Sequence, residues 1–389
     1  MISRRILVGG LCAALGAAAF YRGYDRGVFT GGQGAAYDPW SEWQGNPADG
    51  LVRPLRAAIL AANPHDTQPW LFRARASHID VFADRRRNLG SFDPFRREMH
   101  LGVGAAIENL TLAARAQGFA AEIAPVDGIL SLGLPPAPAR AARIAMSRAA
   151  AKRDRLFDAL PRRHTNRGPY VAGRPIPASM LLMLAETANN SGARVVFFQN
   201  EARRERLARL VIDATTRIIA DKEMAADSAR WFRTGAPEIR RYRDGITMDA
   251  AGLSPGMVML TKFLPDLNAA TADAYWLRMT RDTQVPSAPV LGLICVRDRL
   301  DMRNTLLAGR AWQRLHLAAT ADGLAAQPLN QPVECVDRAA MTDAADKFGP
   351  AMQELIGTTD WEATFVFRLG EPQSSAPASP RRPLEAVLI

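Results

Sequence analysis

The sequence predicts an α+β protein made of two homologous halves in one chain, the pair forming a pseudo-dimer. Three observations lead there. A stretch of 18 residues recurs: Gly104–Ala121, GAAIENLTLAARAQGFAA, matches Gly309–Ala326, GRAWQRLHLAATADGLAA, at ten positions without a gap and at a constant offset of 205. Each copy reads as an Ala-rich helix ending at a Gly suited to a left-handed cap. Two copies of so large a unit fit a single-chain pseudo-dimer and not a solenoid of short repeats. Apolar or β-branched runs of strand length alternate with stretches of helical period. Finally, 389 residues with 48% hydrophobic and 23% charged side chains form a globular composition. That excludes a wholly disordered chain and allows two to three domains of about 150 residues.

Met1–Tyr21, MISRRILVGGLCAALGAAAFY, reads as a twin-arginine (Tat) signal peptide. Arg4 and Arg5 precede the apolar run Ile6–Phe20, and no acidic residue occurs before Asp25. The run has 15 residues, short of the roughly 20 that cross a bilayer. Ala17–Ala19 offers a small-residue cleavage site. The expectation is export by the Tat machinery to a periplasmic or membrane-associated location, with about 19 residues removed; the alternative is a short uncleaved anchor. Cys12 follows Leu11, so lipidation is not expected. The Tat route carries folded proteins, often with a cofactor in place.

Residues 22–50 are Gly-rich and read as a linker or arm. Residues 51–150 form the first half and 155–389 the second, with an insertion at 200–285. Helices are expected at Val52–Ala62, Gly104–Gln117, Pro177–Asn189, Glu201–Ile219 and Leu307–Ala321, and strands at Ile79–Phe82, Val195–Phe198, Val290–Val296 and Phe365–Leu369. The insertion carries Trp231, Phe232, Met257, Met259, Phe263, Tyr275 and Trp276, which suit an extra apolar helical layer or a lid. Glu371–Pro383 is an irregular tail rich in Ser, Pro and Ala.

Several function classes drop out. The net charge is +10, but Arg is spread along the chain with no basic tract interleaved with aromatics, so nucleic acid is not expected as a partner. Cys12, Cys295 and Cys335 form no CxxC pair, and no HExxH or GxxxxGK[ST] occurs, so no metal site is expected. Cys295 lies in an apolar run and reads as a buried strand thiol. His100 and His316 read as structural. Gly252–Gly256, GLSPG, has the G-x-S-x-G spacing of a nucleophile elbow. Pro255, however, lacks the backbone N–H that an oxyanion hole needs there.

Three segments carry chemistry: Ala61–Phe72, AANPHDTQPWLF; Arg162–Tyr170, RRHTNRGPY; and Ser379–Leu388, SPRRPLEAVL. Arg163, His164, Thr165 and Arg167 set charge and a hydroxyl at close spacing, and Arg381 and Arg382 add two guanidiniums. Such a group suits a phosphate monoester, which guanidinium grips in bidentate fashion. In this order the segments resemble the motifs of nitroreductase-like FMN proteins. Gly323–Gln331, GLAAQPLNQ, resembles that family's flavin loop, and the likeness covers about residues 50–389. The split of motifs between halves resembles the tandem, Acg-like branch, in which one chain imitates the usual homodimer.

That resemblance implies a nitroreductase-like fold, FMN as cofactor, and a monomer with one complete site. It implies that Arg163, His164, Thr165, Arg167, Arg381 and Arg382 serve the phosphate. It implies that Asn63, Pro64, His65, Asp66 and Gln68, with Pro328, Leu329, Asn330 and Gln331, serve the flavin. The matching stretch of the second half, Ala188–Ala193, lacks the Gln-Pro-Trp loop, so its twin site is expected to have lost flavin. Asp66 stands where the family has Asn, and an ionised Asp can only accept hydrogen bonds. The function implied is electron transfer from a reductant (NAD(P)H, a quinol or a protein) through FMN to a small-molecule acceptor. The alternative is a protein that sequesters FMN without turnover. No catalytic residue is assigned. With free NAD(P)H scarce outside the cytoplasm and the insertion over the flavin, slow reduction by NAD(P)H is expected.

Overall fold

The computed structural model describes residue 17 and residues 20–389; Arg4, Arg5, Cys12 and most of the apolar run Ile6–Phe20 lie outside the described residues. Two four-stranded antiparallel sheets form the frame. The first contains β1 (Trp70–Ala74), β2 (His78–Ala83), β3 (Phe119–Pro125) and β4 (Ala139–Arg148) in the order β1-β2-β4-β3. The second contains β5 (Arg194–Phe198), β8 (Val290–Val296), β9 (Ala325–Pro328) and β10 (Glu362–Gly370) in the order β5-β8-β10-β9. Taken in chain order, both sheets have their strands arranged first, second, fourth, third. Short strands β6 (Phe232–Arg233) and β7 (Ile246–Thr247) pair within the insertion.

The helices introduced here are α1 (Arg97–Ala116), α2 (Ala178–Ala188), α3 (Glu201–Ala220), α4 (Lys222–Ala229), α5 (Pro255–Phe263), α6 (Ala269–Met279), α7 (Met302–Ala321) and α8 (Gln331–Thr342). Both bounds of α1 coincide with those of α7 at the offset of 205. So do their caps, Gly118 (φ 82°) and Gly323 (φ 76°), which take the left-handed conformation that Gly adopts without strain.

The two helices cross where the repeat places its first Gly. A Cβ on Gly104 would lie 2.2 Å from the Leu306 carbonyl oxygen, and a Cβ on Gly309 would lie 2.0 Å from that of Leu101. The offset converts each contact into the other, the reciprocity of a two-fold interface. No side chain fits at that crossing. Ile107, Leu110 and Leu315 are fully buried beside it, in one apolar core shared by both halves. The C-terminus completes the exchange: Leu388 pairs in parallel with Phe72, and the Ile389 N–H donates to the Phe72 carbonyl at 2.9 Å.

One expected helix is broken. Val52–Ala62 divides into a 3₁₀ turn, Pro47–Val52, and one helical turn, Leu55–Ala58. Gly50 is at φ 59° and ψ −130°, and Pro54 lacks the N–H that a continuous helix requires. Residues 22–50 are a packed arm rather than a linker: Ala36, Tyr37, Trp40 and Trp43 are buried.

Candidate functional site

The loop between Ala61 and β1 is locally strained. His65, Asp66 and Gln68 all have positive φ (46°, 54° and 49°). Non-glycine residues held there cost of order 1–3 kcal/mol each, and such strain collects at functional sites. The Asn63 side chain holds the loop: its Oδ1 accepts from the Gln68 N–H at 2.7 Å, and its Nδ2 donates to Asp66 Oδ1 at 3.2 Å and to the Ala61 carbonyl at 3.2 Å. From α7, Gln313 accepts from the Ala62 N–H at 3.1 Å and donates to Asn109 at 2.7 Å.

Facing this loop are residues from three distant segments. A narrow cleft of about 40 Å³ is lined by Asn63 and Asp66, by Arg163, Thr165 and Arg167, by Gly245, Ile246 and Ala250, and by Arg381. Three described lining residues carry guanidiniums, and Asp66 alone carries a carboxylate. Arg163 and Arg381 are 2% and 1% exposed, values that free arginines almost never show. Arg381 Nη1 reaches Asp66 Oδ1 at 2.6 Å and the Pro380 carbonyl at 2.8 Å. Arg163 donates to the Leu60 carbonyl at 3.0 Å and sits 3.4 Å from His316 Nδ1. The Nε atoms of both arginines are buried without a partner.

The electrostatics follow from burial. Burial, then the neighbouring Arg381, pushes Arg163 down to about 9, and burial also lowers Arg167 and Arg381. Burial pushes the Asp66 carboxyl up to about 6 against the pull of Arg381. His65 and His164 are each pushed down to about 3, first by burial and then by Arg167 and Arg163 respectively. At neutral pH the imidazoles are neutral, and the cleft's positive charge is entirely guanidinium.

The arm and the insertion enclose the cleft. The Ala36 carbonyl accepts from the Arg381 N–H at 2.7 Å, and the Trp40 indole lies 4.8 Å from the Arg381 guanidinium and 4.5 Å from His164. From the insertion, the Gly245 N–H donates to the Asp66 carbonyl at 3.1 Å, Ser228 Oγ lies 2.8 Å from His65 Nε2, and the Arg243 carbonyl accepts from Gln68 at 2.8 Å.

Not every expected site residue lines this cleft. Pro64 and His65 sit in the loop, but the His65 ring turns toward Phe92, 5.1 Å away. His164 packs on Trp40. Arg382 donates through its backbone N–H to Gln68 Oε1 at 2.8 Å, tying the tail to the loop. Pro328, Leu329, Asn330 and Gln331 do not line it. Asn330 is engaged with Glu98 at 2.9 Å and with the Val366 N–H at 2.8 Å, and Gln331 begins α8. Their neighbourhood is a buried carboxyl group of Asp93, Glu98 and Glu334, with Asp337 paired to Arg97 at 2.6 Å.

Sequence reasoning missed two supports. Arg368, fully buried, donates to the carbonyls of Asn166 (3.1 Å) and Gly168 (2.6 Å) and stacks 3.9 Å from the Tyr170 ring, fixing the segment that bears Arg163–Arg167. Gln313 fixes the other side. Both act across more than 150 residues, so no local motif marks them. For Gln313 the repeat held a clue: its counterpart at the offset of 205 is Glu108. A second pocket lies at that counterpart, lined by Glu108, Thr187, Asn189, Arg310 and Arg314 among others. There Glu108 pairs with Arg310 and Arg314, each at 2.8 Å. The twin is thus neutralised internally, whereas the first cleft carries unmatched positive charge.

No family model matches the chain. Two Mycobacterium tuberculosis proteins, named "Putative NAD(P)H nitroreductase" in strains CDC 1551 / Oshkosh and H37Rv, are each 27% identical over 290 residues, covering 72% of this chain and 76% of theirs. Among solved structures, the FMN- and NADPH-dependent nitroreductase NfnB from a Sphigopyxis strain aligns with 18% identity, 60% of this chain, 97% of its own and a TM-score of 0.39. NfnB from Mycobacterium smegmatis, in complex with NADPH, aligns with 18% identity, 59% and 97% coverage and a TM-score of 0.35. In sequence, then, this chain is similar to proteins named as nitroreductases.

Proposed function

We propose that the chain is an FMN-binding oxidoreductase of the tandem nitroreductase type, with one flavin per chain. The observation that carries this is the cleft's unmatched charge: Arg163, Arg167 and Arg381 face one carboxylate, and two guanidinium Nε atoms are buried without partners. A phosphate dianion supplies both the charge and the acceptors that this group lacks. Arg163, Arg167 and Arg381, with the Thr165 hydroxyl, would hold the phosphate. Asn63 and Asp66, on the strained loop, would address the ring, while the buried Gln68, which does not line the cleft, holds the loop to Arg243 and Arg382. When bound, FMN supplies a ring that accepts a hydride and passes the electrons to a second molecule. The chain's own part is to bind, orient and shield it. Asp66, already paired with Arg381, competes with the phosphate for that guanidinium. The side chain of Asn330 is committed to Glu98, so any flavin contact from Asn330 and Gln331 falls to their backbone.

The name of the Mycobacterium tuberculosis relatives points to NAD(P)H as donor and a nitro compound as acceptor. The insertion is fastened to the loop through Ser228, Arg243 and Gly245, and we infer that it slows access of a nicotinamide. Anaerobic mixing of the flavin-loaded protein with excess NADPH tests this. Bleaching slower than turnover of an open nitroreductase, faster once the insertion contacts are weakened by Ser228→Ala, is expected. Complete bleaching within about a second, near the typical kcat scale, contradicts the shielding. Export by the Tat pathway belongs to the same proposal. Replacing Arg4 and Arg5 by Lys should retain the precursor in the cytoplasm, and unchanged export removes that part.

A further inference from the structure

The insertion contains a helix turned inside out. In α5, PGMVMLTKF, the one buried residue is Lys262, whose ammonium is held by Asp249 at 2.8 and 2.9 Å and by the Gly27 carbonyl at 3.1 Å. Three of its apolar residues face outward, Met257, Met259 and Leu260 at 46%, 53% and 50% exposed, with Leu264 in the following turn at 49%, while Val258 and Phe263 are half-buried. An amphipathic helix in water normally buries these and exposes the lysine. Helix α6 follows α5 across a short turn to form an open hairpin in which the two helices barely touch, and it has no buried residue. The tip is therefore a projecting apolar element that the fold itself does not cover.

The N-terminal arm adds to the same surface. Arg22 donates to the carbonyls of Phe263 (3.0 Å) and Leu264, fastening the arm to the hairpin. Gly23 packs so close to the Phe263 ring that a Cβ would lie 2.8 Å from it. Phe20 and Phe29, 66% and 59% exposed, have ring centroids 5.9 Å apart. Phe20 is also the last residue of the apolar run Ile6–Phe20. Contiguous exposed apolar surface of this kind marks an interaction site.

We propose that the α5–α6 hairpin and the adjoining arm dock on a lipid bilayer, α5 lying in the interface with Met257, Leu260 and Leu264 inserted. This is independent of the flavin reading. Three features select lipid as the occupant. In the chain that keeps its N-terminal segment as a short uncleaved anchor, the patch is continuous in sequence with a 15-residue apolar run, too short to span a bilayer at roughly 20 residues. A single weak apolar anchor holds only marginally, and stable attachment takes two signals; the hairpin provides the second. Helix α5 carries no acidic residue, so nothing on it opposes an anionic headgroup layer. Among the described residues no helix is long and apolar enough to cross a membrane. The geometry also links docking to the cleft: Gly245, Ile246 and Ala250, which line it, lie within ten residues or so of the start of α5, so the docked hairpin brings the cleft wall near the bilayer.

Flotation of the full chain with phosphatidylcholine vesicles, and with vesicles enriched in phosphatidylglycerol, tests the proposal. The variant Met257→Glu/Leu260→Glu/Leu264→Glu leaves the run Ile6–Phe20 intact and alters only exposed positions. It should keep the wild-type melting curve and lose about tenfold or more in vesicle partitioning, as three apolar side chains exchanged for charges imply. Partitioning equal to wild type overturns the proposal. So does a wild-type chain that self-associates in light scattering through these residues and ignores vesicles, because the occupant is then a second copy. A second readout avoids dependence on the charged variant. In Cys12→Ser/Leu260→Cys, with Cys295 and Cys335 buried, an environment-sensitive dye on residue 260 should shift to the blue on addition of vesicles. An unshifted spectrum with vesicle-bound protein contradicts insertion of α5.

Discussion

Arg163→Met separates a functional charge from a structural one. Arg163 is 2% exposed and pushed down to about 9 from the ordinary 12.5. At about 1.4 kcal/mol per pH unit, keeping it charged costs the flavin-free protein on the order of 5 kcal/mol. Removing it abandons the bond to the Leu60 carbonyl at 3.0 Å, a buried acceptor whose loss costs about 1–3 kcal/mol. Met fills similar volume without charge, and replacing an uncompensated buried ion in this way is neutral or stabilising. The flavin-free variant should thus be as stable as wild type or more so, by up to about 4 kcal/mol, in urea unfolding. Its affinity for FMN should fall roughly 10–150-fold, the value of one charge-assisted contact, while riboflavin, which has no phosphate, should bind nearly as before. Fluorescence quenching titrations with both flavins give the answer. Equal losses for the two, or strong destabilisation with unchanged FMN affinity, refute the phosphate role.

Two further predictions concern charge and packing. Asp66 is raised to about 6 in the folded protein, so its contribution to stability is present below the unfolded value near 3.8 and is lost as pH rises through 6. Relative to Asp66→Asn, flavin-free wild type should lose on the order of 3 kcal/mol between about pH 4 and pH 8; urea unfolding at both pH values checks it, and a pH-independent difference contradicts it. Gly309→Ala, whose Cβ would sit 2.0 Å from the Leu101 carbonyl oxygen, should force α1 and α7 apart and cost about 3 kcal/mol or more. Thermal unfolding of the variant measures this, and a melting point equal to wild type would deny the close crossing.

The repeat was legible because its cause is local: a Gly at the crossing and Ala around it are the residues that let α1 and α7 approach, and they recur at a fixed offset. The cleft was legible in part. Asn63, Asp66, Arg163, Thr165, Arg167 and Arg381 converge because three short segments carry dense polar signals. Strand β4, ARAARIAMSR, was missed because two of its four buried residues, Ala141 and Ala142, are Ala, which has little strand preference, and exposed Arg interrupts the apolar run. The expected helix over Val52–Ala62 was interrupted at Pro54, where the missing N–H overrode apolar spacing. The segment Pro328–Gln331 matched a motif, yet the Asn330 side chain is claimed by Glu98, 232 positions away, a partner that sequence distance hides. The outward face of α5 was read as helical layer or lid. An apolar pattern states that a face wants cover without saying what covers it.

The central claim is that two homologous halves build one working site. The most direct test is acid release of flavin from the purified full chain, with the flavin identified chromatographically and counted against protein. One equivalent of FMN per chain is the expected result, because the pocket at Glu108 neutralises its own arginines and the cleft at Arg163 and Arg381 does not. Two equivalents per chain, or an equivalent that persists in Arg163→Met/Arg381→Met, would contradict the account.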